Sequence, residues 1–273
     1  MSPEASDSSY TPPVGAATRA VPVNRAETPV DAKQGKLALI IPTLNEAENI
    51  HQLLDQVRAV LDPAGIDYEI LVVDDDSRDR TGQIVSAIAL YDPRVRLLVR
   101  KGERGLAGAV LYGWRNTEAS ILGVMDADLQ HPPELLLELF SVILAGNDLA
   151  IGSRYIDGGR LGKWNPVRKF LSVAAVWATW PIQRAGMRAK DPMTGYFLVR
   201  RECVDGIHFQ PSGFKLLLEI LVRGRLHSIK ELPLSFGLRV QGASKANFKV
   251  GWDYAKLLAR LYAERFGFGR GSR

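Results

Sequence analysis

The chain reads as an α/β protein with a mostly parallel central sheet covered by helices, and three observations carry that reading. Apolar runs of strand length alternate with amphipathic stretches of helical period four times between Lys36 and Asp148. Several of these apolar runs end at a proline or an acidic residue, which places polar groups at the carboxyl ends of parallel strands, where open α/β sheets bind their ligands. The composition, 46% apolar and 24% charged over 273 residues, is that of a globular chain with enough length for one large domain.

The elements follow in order. Leu37–Ile41 is an apolar run stopped at Pro42, and Ala47–Leu61 carries Ile50, Leu53, Leu54, Val57 and Leu61 at helical spacing. Glu69–Val73 precedes a helix from about Asp79, Val95–Val99 precedes one from about Gly105, and Ile121–Met125 precedes one from near Pro132. Beyond Asp148 the rhythm loosens. An Arg-, Gly- and Trp-rich stretch, Gly152–Pro166, leads to an apolar helix over Phe170–Ile182. A strand over Gly195–Arg200, a helix over Ser212–Arg223 and a strand near Leu226–Leu232 follow. Val250–Phe266 closes the series as an amphipathic helix whose stripe is Val250, Tyr254, Leu257, Leu258, Leu261 and Phe266.

Met1–Gln34 is rich in Ser, Ala and Pro and has no apolar core of signal-peptide type, so residues 1–35 are expected to form a disordered arm. Residues 36–250 are then the α/β domain and 251–273 the amphipathic helix and tail. No stretch reaches the roughly 18 uninterrupted apolar residues of a membrane span; Phe170–Ile182 suits an interfacial or buried helix. The single cysteine, Cys203, permits no internal disulfide and fits a reducing compartment, so the cytoplasm is the expected location. Charge is uneven: residues 1–153 hold 13 Lys/Arg against 22 Asp/Glu, and residues 154–273 hold 22 against 8. The second part is therefore expected to meet an anionic partner. Basic strings interleaved with aromatics are missing, which argues against nucleic acid as that partner.

Two acidic clusters stand at predicted strand ends, Asp74-Asp75-Asp76 after Val73 and Asp126-Ala127-Asp128 after Met125. Like charges gathered there are unfavourable unless something neutralises them. Carboxylates on an Asp-x-Asp turn suit a hard divalent cation that keeps water and phosphate oxygens as further ligands, and Gln130 can add a neutral oxygen. The alternative is that the acids cap the following helices, which is the better account of Asp79 and Glu134. His131, before Pro132-Pro133, is better explained by turn geometry than as a general base. Gly102, Gly105 and Gly108 do not form a dinucleotide fingerprint and are better explained by close helix packing.

Three strings, Ile41-Pro42-Thr43-Leu44-Asn45-Glu46, Val72-Val73-Asp74-Asp75-Asp76-Ser77 and Asp126-Ala127-Asp128-Leu129-Gln130-His131-Pro132-Pro133-Glu134, resemble the dolichyl-phosphate mannose synthases. These are inverting family-two glycosyltransferases, and the resemblance runs from about residue 36 to about 250. It implies a single nucleotide-sugar-binding domain of the Rossmann-like GT-A type, which moves mannose from GDP-mannose to the phosphate of dolichol or another polyprenol. It also implies that Pro42, Leu44 and Glu46 hold the base, with Val73 and Asp75 at base and ribose, although Leu44 stands where an aromatic residue is common. Asp126, Asp128 and Gln130 would bind Mg²⁺ or Mn²⁺, with Ala127 between them in the donor site. Arg154, Arg168 and Ser172 match residues that contact the lipid phosphate, and with Asp128 the two arginines are the catalytic candidates. Arg239-Val240-Gln241-Gly242-Ala243-Ser244-Lys245 resembles a mobile segment whose Arg239 and Lys245 reach donor phosphates, with Gly237 and Gly242 permitting closure; Lys215 is a further donor-site candidate. Asp191-Pro192-Met193-Thr194-Gly195-Tyr196 matches another string of the family, in which Asp191 serves either a turn or the chemistry.

A lipid acceptor implies docking at the cytosolic face of a membrane, through the Phe170–Ile182 helix, the terminal helix with Trp252 and Tyr254, or an anchoring partner subunit. Competing readings are a polyprenyl-phosphate synthase using another sugar nucleotide such as UDP-glucose, a glycosyltransferase acting on hydroxyls, and a noncatalytic lipid-phosphate or nucleotide-binding module.

Overall fold

The computed structural model describes residues 35–159, 173–210, 215–235 and 248–267, with only the backbone of 248–250. Seven strands, β1 (Leu37–Thr43), β2 (Tyr68–Asp74), β3 (Val95–Val99), β4 (Ile121–Val124), β5 (Leu149–Ser153), β6 (Phe197–Arg200) and β7 (Ile229–Pro233), form one sheet in the order β3-β2-β1-β4-β6-β5-β7. Six run in one direction, and β6 alone is antiparallel to its neighbours β4 and β5. The helices are α1 (Ile50–Leu61), α2 (Thr81–Ala89), α3 (Leu106–Arg115), α4 (Leu135–Leu144), α5 (Leu216–Arg223) and α6 (Phe248–Phe266).

β1 and β2 are buried along nearly their whole length because helices cover both faces, which is why they read as continuous apolar runs rather than alternating ones. One core packs α1 and α4 on the sheet through Leu53, Leu54, Val57, Leu136 and Leu139. The other packs α3 and α5 through Val110, Trp114, Leu217 and Ile220. Gly113 permits the close seating of α3, since a Cβ there would lie 2.8 Å from Ile40 Cγ1.

Several sequence expectations change. β5 was not anticipated, because Leu-Ala-Ile-Gly-Ser is a short buried run that merges with the glycine-rich stretch after it. Among the described residues the expected Phe170–Ile182 helix is helical only over 173–177. Pro181 has no N–H to continue it and disfavours helical geometry at Trp180, and Thr179 Oγ1 donates to Val176 O at 2.6 Å. The α6 stripe buries Leu257 and Leu261 against Ile182 and Leu218, but Phe266 stays 52% exposed, stacked on Tyr262 rather than on the core. The 1–35 arm lies outside the described residues except for Gly35, so that expectation stands only as read from composition.

Candidate active site

β1 is flanked by β2 on one side and β4 on the other, so the chain reverses its winding direction between β1 and β4. Such a switch point opens a crevice at the carboxyl ends of the strands. The end of β1 with Pro42, and the loop after it with Leu44 and Glu46, lie on one side of it and the Asp126–Gln130 turn on the other. Because β6 is antiparallel, its start brings Asp191–Tyr196 to the same edge, where the end of β5 delivers Arg154.

Backbone strain concentrates here. Among the described residues three non-glycines have positive φ: Asn45 (57°), Asp76 (58°) and Leu129 (60°), one in each loop after β1, β2 and β4. A left-handed L-residue costs about 1–2 kcal/mol, and at a bulky Leu the surroundings must over-determine it. The first two loops are laced together. Asn45 N–H donates to Ser77 Oγ at 2.8 Å, Arg78 N–H to Asn45 Oδ1 at 2.9 Å, Glu46 N–H to Thr81 Oγ1 at 2.9 Å and Ala47 N–H to Asp79 Oδ2 at 3.0 Å. Asp79 also accepts the Thr81 N–H at 2.9 Å, the helix-start role expected of it.

The two acidic clusters differ. Asp74 is buried and spent locally, accepting Thr43 Oγ1–H at 2.8 Å and Ser77 N–H at 2.9 Å. Asp75 is buried too, with Oδ2 on the Gly105 N–H at 2.7 Å and Oδ1 3.0 Å from Arg100 Nη1. Burial raises the Asp75 pKa, opposed by the Gly105 N–H and the Arg100 charge. Gly108 makes room for that guanidinium, because a Cβ there would meet Arg100 Nη2 at 2.9 Å. Val73 is fully buried. Arg100 and its glycine-lined seat escaped sequence reading; the signal was a basic residue directly after β3 beside Gly102, Gly105 and Gly108.

The second cluster faces the crevice. The Asp126 side chain is 32% exposed, Asp128 and Gln130 are half-buried, and Ala127 turns back into the core. Gln130 N–H donates to Asp128 Oδ1 at 3.2 Å, closing the turn. Asp126 N–H donates to Nδ1 of buried His131 at 3.2 Å, and His131 Nε2 lies 3.8 Å from Asp126 Oδ2. Burial pushes the His131 pKa down to about 4, against the pull of Asp128, so the ring is neutral near pH 7 and serves the turn, as its place before two prolines suggests. Gly195 presses on Asp126: a Cβ there would lie 2.8 Å from Oδ1. Among the described residues no three His, Cys, Asp or Glu side chains gather into a metal cluster. Two carboxylates and an amide oxygen within one short turn instead have the donor chemistry of a hard divalent cation site completed by water and phosphate.

Arg154 stands beside this turn. Its N–H, Nε and Nη2 donate to Asp191 at 3.0, 2.7 and 2.9 Å, and Asp191 is fully buried, its own N–H bonded to Glu231 Oε1 at 3.0 Å. Burial works against the Arg154 charge, but Asp191 outweighs it and raises the pKa. Lys215, at the start of α5, donates to Met193 O at 3.4 Å. Burial and then the Arg154 charge lower its pKa, while Asp191 and Asp126 oppose, which places Lys215 in the same electrostatic neighbourhood. Arg168, Ser172, Arg239 and Lys245 lie outside the described residues, as do Gly237 and Gly242. Sequence reading left the role of Asp191 open and missed Gly195 and Tyr196 as shapers of the turn, although all three stand in one recognised string.

An α/β sheet with a crevice at its switch point, an Asp-x-Asp turn on one lip and a half-buried, carboxylate-held arginine beside it has the build of a glycosyltransferase. Residues 38–221 match the family described as Glycosyl transferase family 2, and the chain belongs to that family. It is 40% identical over 226 residues to the dolichol-phosphate mannosyltransferase of Pyrococcus furiosus, an alignment covering 83% of this chain and 63% of that protein. The chain therefore spans less than two thirds of the length of that relative. It is 35% identical to the dolichol-phosphate mannosyltransferase of Saccharomyces cerevisiae (84% of this chain, 88% of that protein). With the polyprenol monophosphomannose synthase of Mycolicibacterium smegmatis it shares 37% identity (76% of this chain, 79% of that protein). Among solved structures, glucosyl-3-phosphoglycerate synthase of Mycobacterium tuberculosis, crystallised with Mn²⁺, UDP and glucosyl-3-phosphoglycerate, superposes with a TM-score of 0.61. The identity is 18%, over 85% of this chain and 80% of that one, so the likeness is one of fold.

Proposed function

We propose that the protein transfers mannose from GDP-mannose to the phosphate of a polyprenol, with inversion at the anomeric carbon. The observation that carries this reading is the juxtaposition of the Asp126-Ala127-Asp128 turn with Arg154, held by Asp191 at the same sheet edge. The relatives named above support the substrate class. Pro42, Leu44, Glu46 and Asp75 line the nucleoside side of the crevice, with Val73 buried near the end of β2; Lys215, Arg239 and Lys245 serve the donor phosphates.

Asp126, Asp128 and Gln130 would hold Mg²⁺ or Mn²⁺, which supplies charge neutralisation for the leaving nucleoside diphosphate. An acceptor phosphate is already ionised at neutral pH, so the reaction needs positioning more than a base. Arg154 and Arg168 align that phosphate; its oxygen forms the new bond to the anomeric carbon as the bond to the diphosphate oxygen breaks. Asp191 keeps the Arg154 fork charged and fixed in direction.

Docking at the cytosolic membrane surface belongs to the same proposal. No helix among the described residues is long and apolar enough to cross a membrane. The segment 173–182 and α6 are tied together by Tyr254 and Tyr262, whose hydroxyls donate to Ala175 O and Ala178 O. The pair leaves Trp177, Trp180 and Trp252 exposed by 72%, 46% and 57%, with Arg188 and Lys256 against two of the rings. Amphipathic aromatics with basic neighbours suit the headgroup layer. Binding to anionic liposomes at low salt is expected, and its absence would move anchoring to a partner subunit.

The deciding experiment incubates the protein and polyprenyl phosphate with labelled GDP-mannose or UDP-glucose, with and without Mg²⁺ or Mn²⁺. Label entering the lipid fraction from GDP-mannose in a cation-dependent manner is expected. Transfer from UDP-glucose instead would replace the donor, and no transfer from either would refute the reading.

A further inference from the structure

We infer that His131, seated on the ring of Tyr196, is a positioning residue that shapes the Asp126–Gln130 turn before a cation arrives. The inference rests on the reading of that turn as the cation-holding element.

The sheet ladder ends at this point. β4 pairs with β6 as far as Val124 opposite Phe197, and Met125 N–H makes the last bond to β1, on Ile40 O at 3.1 Å. The next donor along, Asp126 N–H, is taken up by His131 Nδ1. Because Nδ1 accepts, the ring proton rests on Nε2, which lies 3.8 Å from Asp126 Oδ2. One imidazole thus faces both the main chain and the carboxylate of the same residue.

The ring is itself fixed. It is 2% exposed and stacks on Tyr196 with centroids 4.7 Å apart and planes at 13°, and the Tyr196 hydroxyl donates to Pro132 O at 2.9 Å. Gly195, the residue before Tyr196, bounds the other side of the Asp126 carboxylate. The β6 entry therefore supplies both the platform under His131 and the wall behind Asp126, and between them Leu129 is held at φ 60°. A buried imidazole is costly to desolvate, and these contacts give it a job that an apolar residue cannot do.

The test measures Mn²⁺ binding to the full chain by paramagnetic resonance titration, with no donor or acceptor present. His131→Phe keeps an aromatic ring for Tyr196 and removes the acceptor; His131→Asn offers an amide oxygen near the place of Nδ1. Loss of such an outer partner costs about 10-fold or more in metal affinity. His131→Phe is expected to bind Mn²⁺ about 10-fold more weakly, and His131→Asn within about 3-fold of the parent. In transfer assays the KM for Mn²⁺ should rise in His131→Phe while kcat at saturating Mn²⁺ is kept. His131→Ala carries the same expectation should His131→Phe fail to fold. Parent-like Mn²⁺ affinity in the variant lacking the acceptor, or equal losses in it and His131→Asn, overturns the inference and leaves the proposed function standing. If the parent binds no Mn²⁺, the cation-holding turn itself fails and the inference falls with it.

Discussion

Replacing Gly195 by alanine tests the site with an atom whose position is known in advance. The added Cβ would stand 2.8 Å from Asp126 Oδ1, 2.9 Å from Oδ2 and 3.1 Å from Cγ. Ordinary contact begins at 3.4 Å, so something must move by about 0.6 Å, the difference between 3.4 and 2.8 Å. The Asp126 side chain is 32% exposed and sits on a turn outside the strand ladder, so it yields before the sheet does. A misplacement of 1 Å in a reacting constellation costs on the order of 100-fold, which scales to roughly 10-fold for this shift. The assay is kcat/KM for transfer into extractable lipid across a Mn²⁺ series, beside a melting curve. Activity should fall roughly 10-fold with stability within about 1 kcal/mol of the parent. Gly123→Ala is the control, since its Cβ would strike Leu198 Cδ2 at 2.6 Å in the core. That overpacking should cost about 1–3 kcal/mol in stability. Parent-level activity in Gly195→Ala, at every Mn²⁺ concentration, would refute the placement of Asp126 in the chemistry.

The other expectations are simpler. Asp128→Ala should abolish transfer and leave the far-UV circular dichroism and melting temperature essentially unchanged, because the side chain lies in the crevice and not in the core. Asp191→Asn withdraws the carboxylate that Arg154 contacts three ways and should cost about 3–5 kcal/mol in urea unfolding, together with most of the activity. Asp92, held down at about 2 from an ordinary 3.8 by Arg94 above all, favours the folded state in its ionised form. That contribution is fully present above about pH 4 and lost as pH falls toward 2. Asp92→Asn should therefore unfold at lower urea than the parent at pH 6, with the gap narrowing below about pH 4 and closing only below about pH 2; a gap independent of pH would contradict the ion-pair account.

Much of this was legible along the chain. Leu37–Ile41, Glu69–Val73 and Val95–Val99 carry enough apolar residues to be read as strands, and the Asp-x-Asp turn announced itself because paired carboxylates after a strand have few structural uses. Other features were not. The first acidic cluster looked equivalent to the second, yet Thr43, Ser77, Gly105 and Arg100 consume its two buried carboxylates, and all of these partners but Ser77 arrive from other parts of the chain. β5 was hidden because its neighbours β6 and β7, from residues 197–200 and 229–233, are distant in the chain.

What the sequence by itself determined was local: the periodicities that make strands and helices, and the residue types able to hold a cation or a phosphate. Only the tertiary structure decided that Asp74 and Asp75 are taken up by loop contacts, that Asp191 grips Arg154, and that Gly195 and Tyr196 frame Asp126 and His131. The reason is physical. Periodicity and residue chemistry are written within a few neighbouring positions, whereas pairing depends on the antiparallel insertion of β6, which brings residues about 40–70 positions apart to one sheet edge.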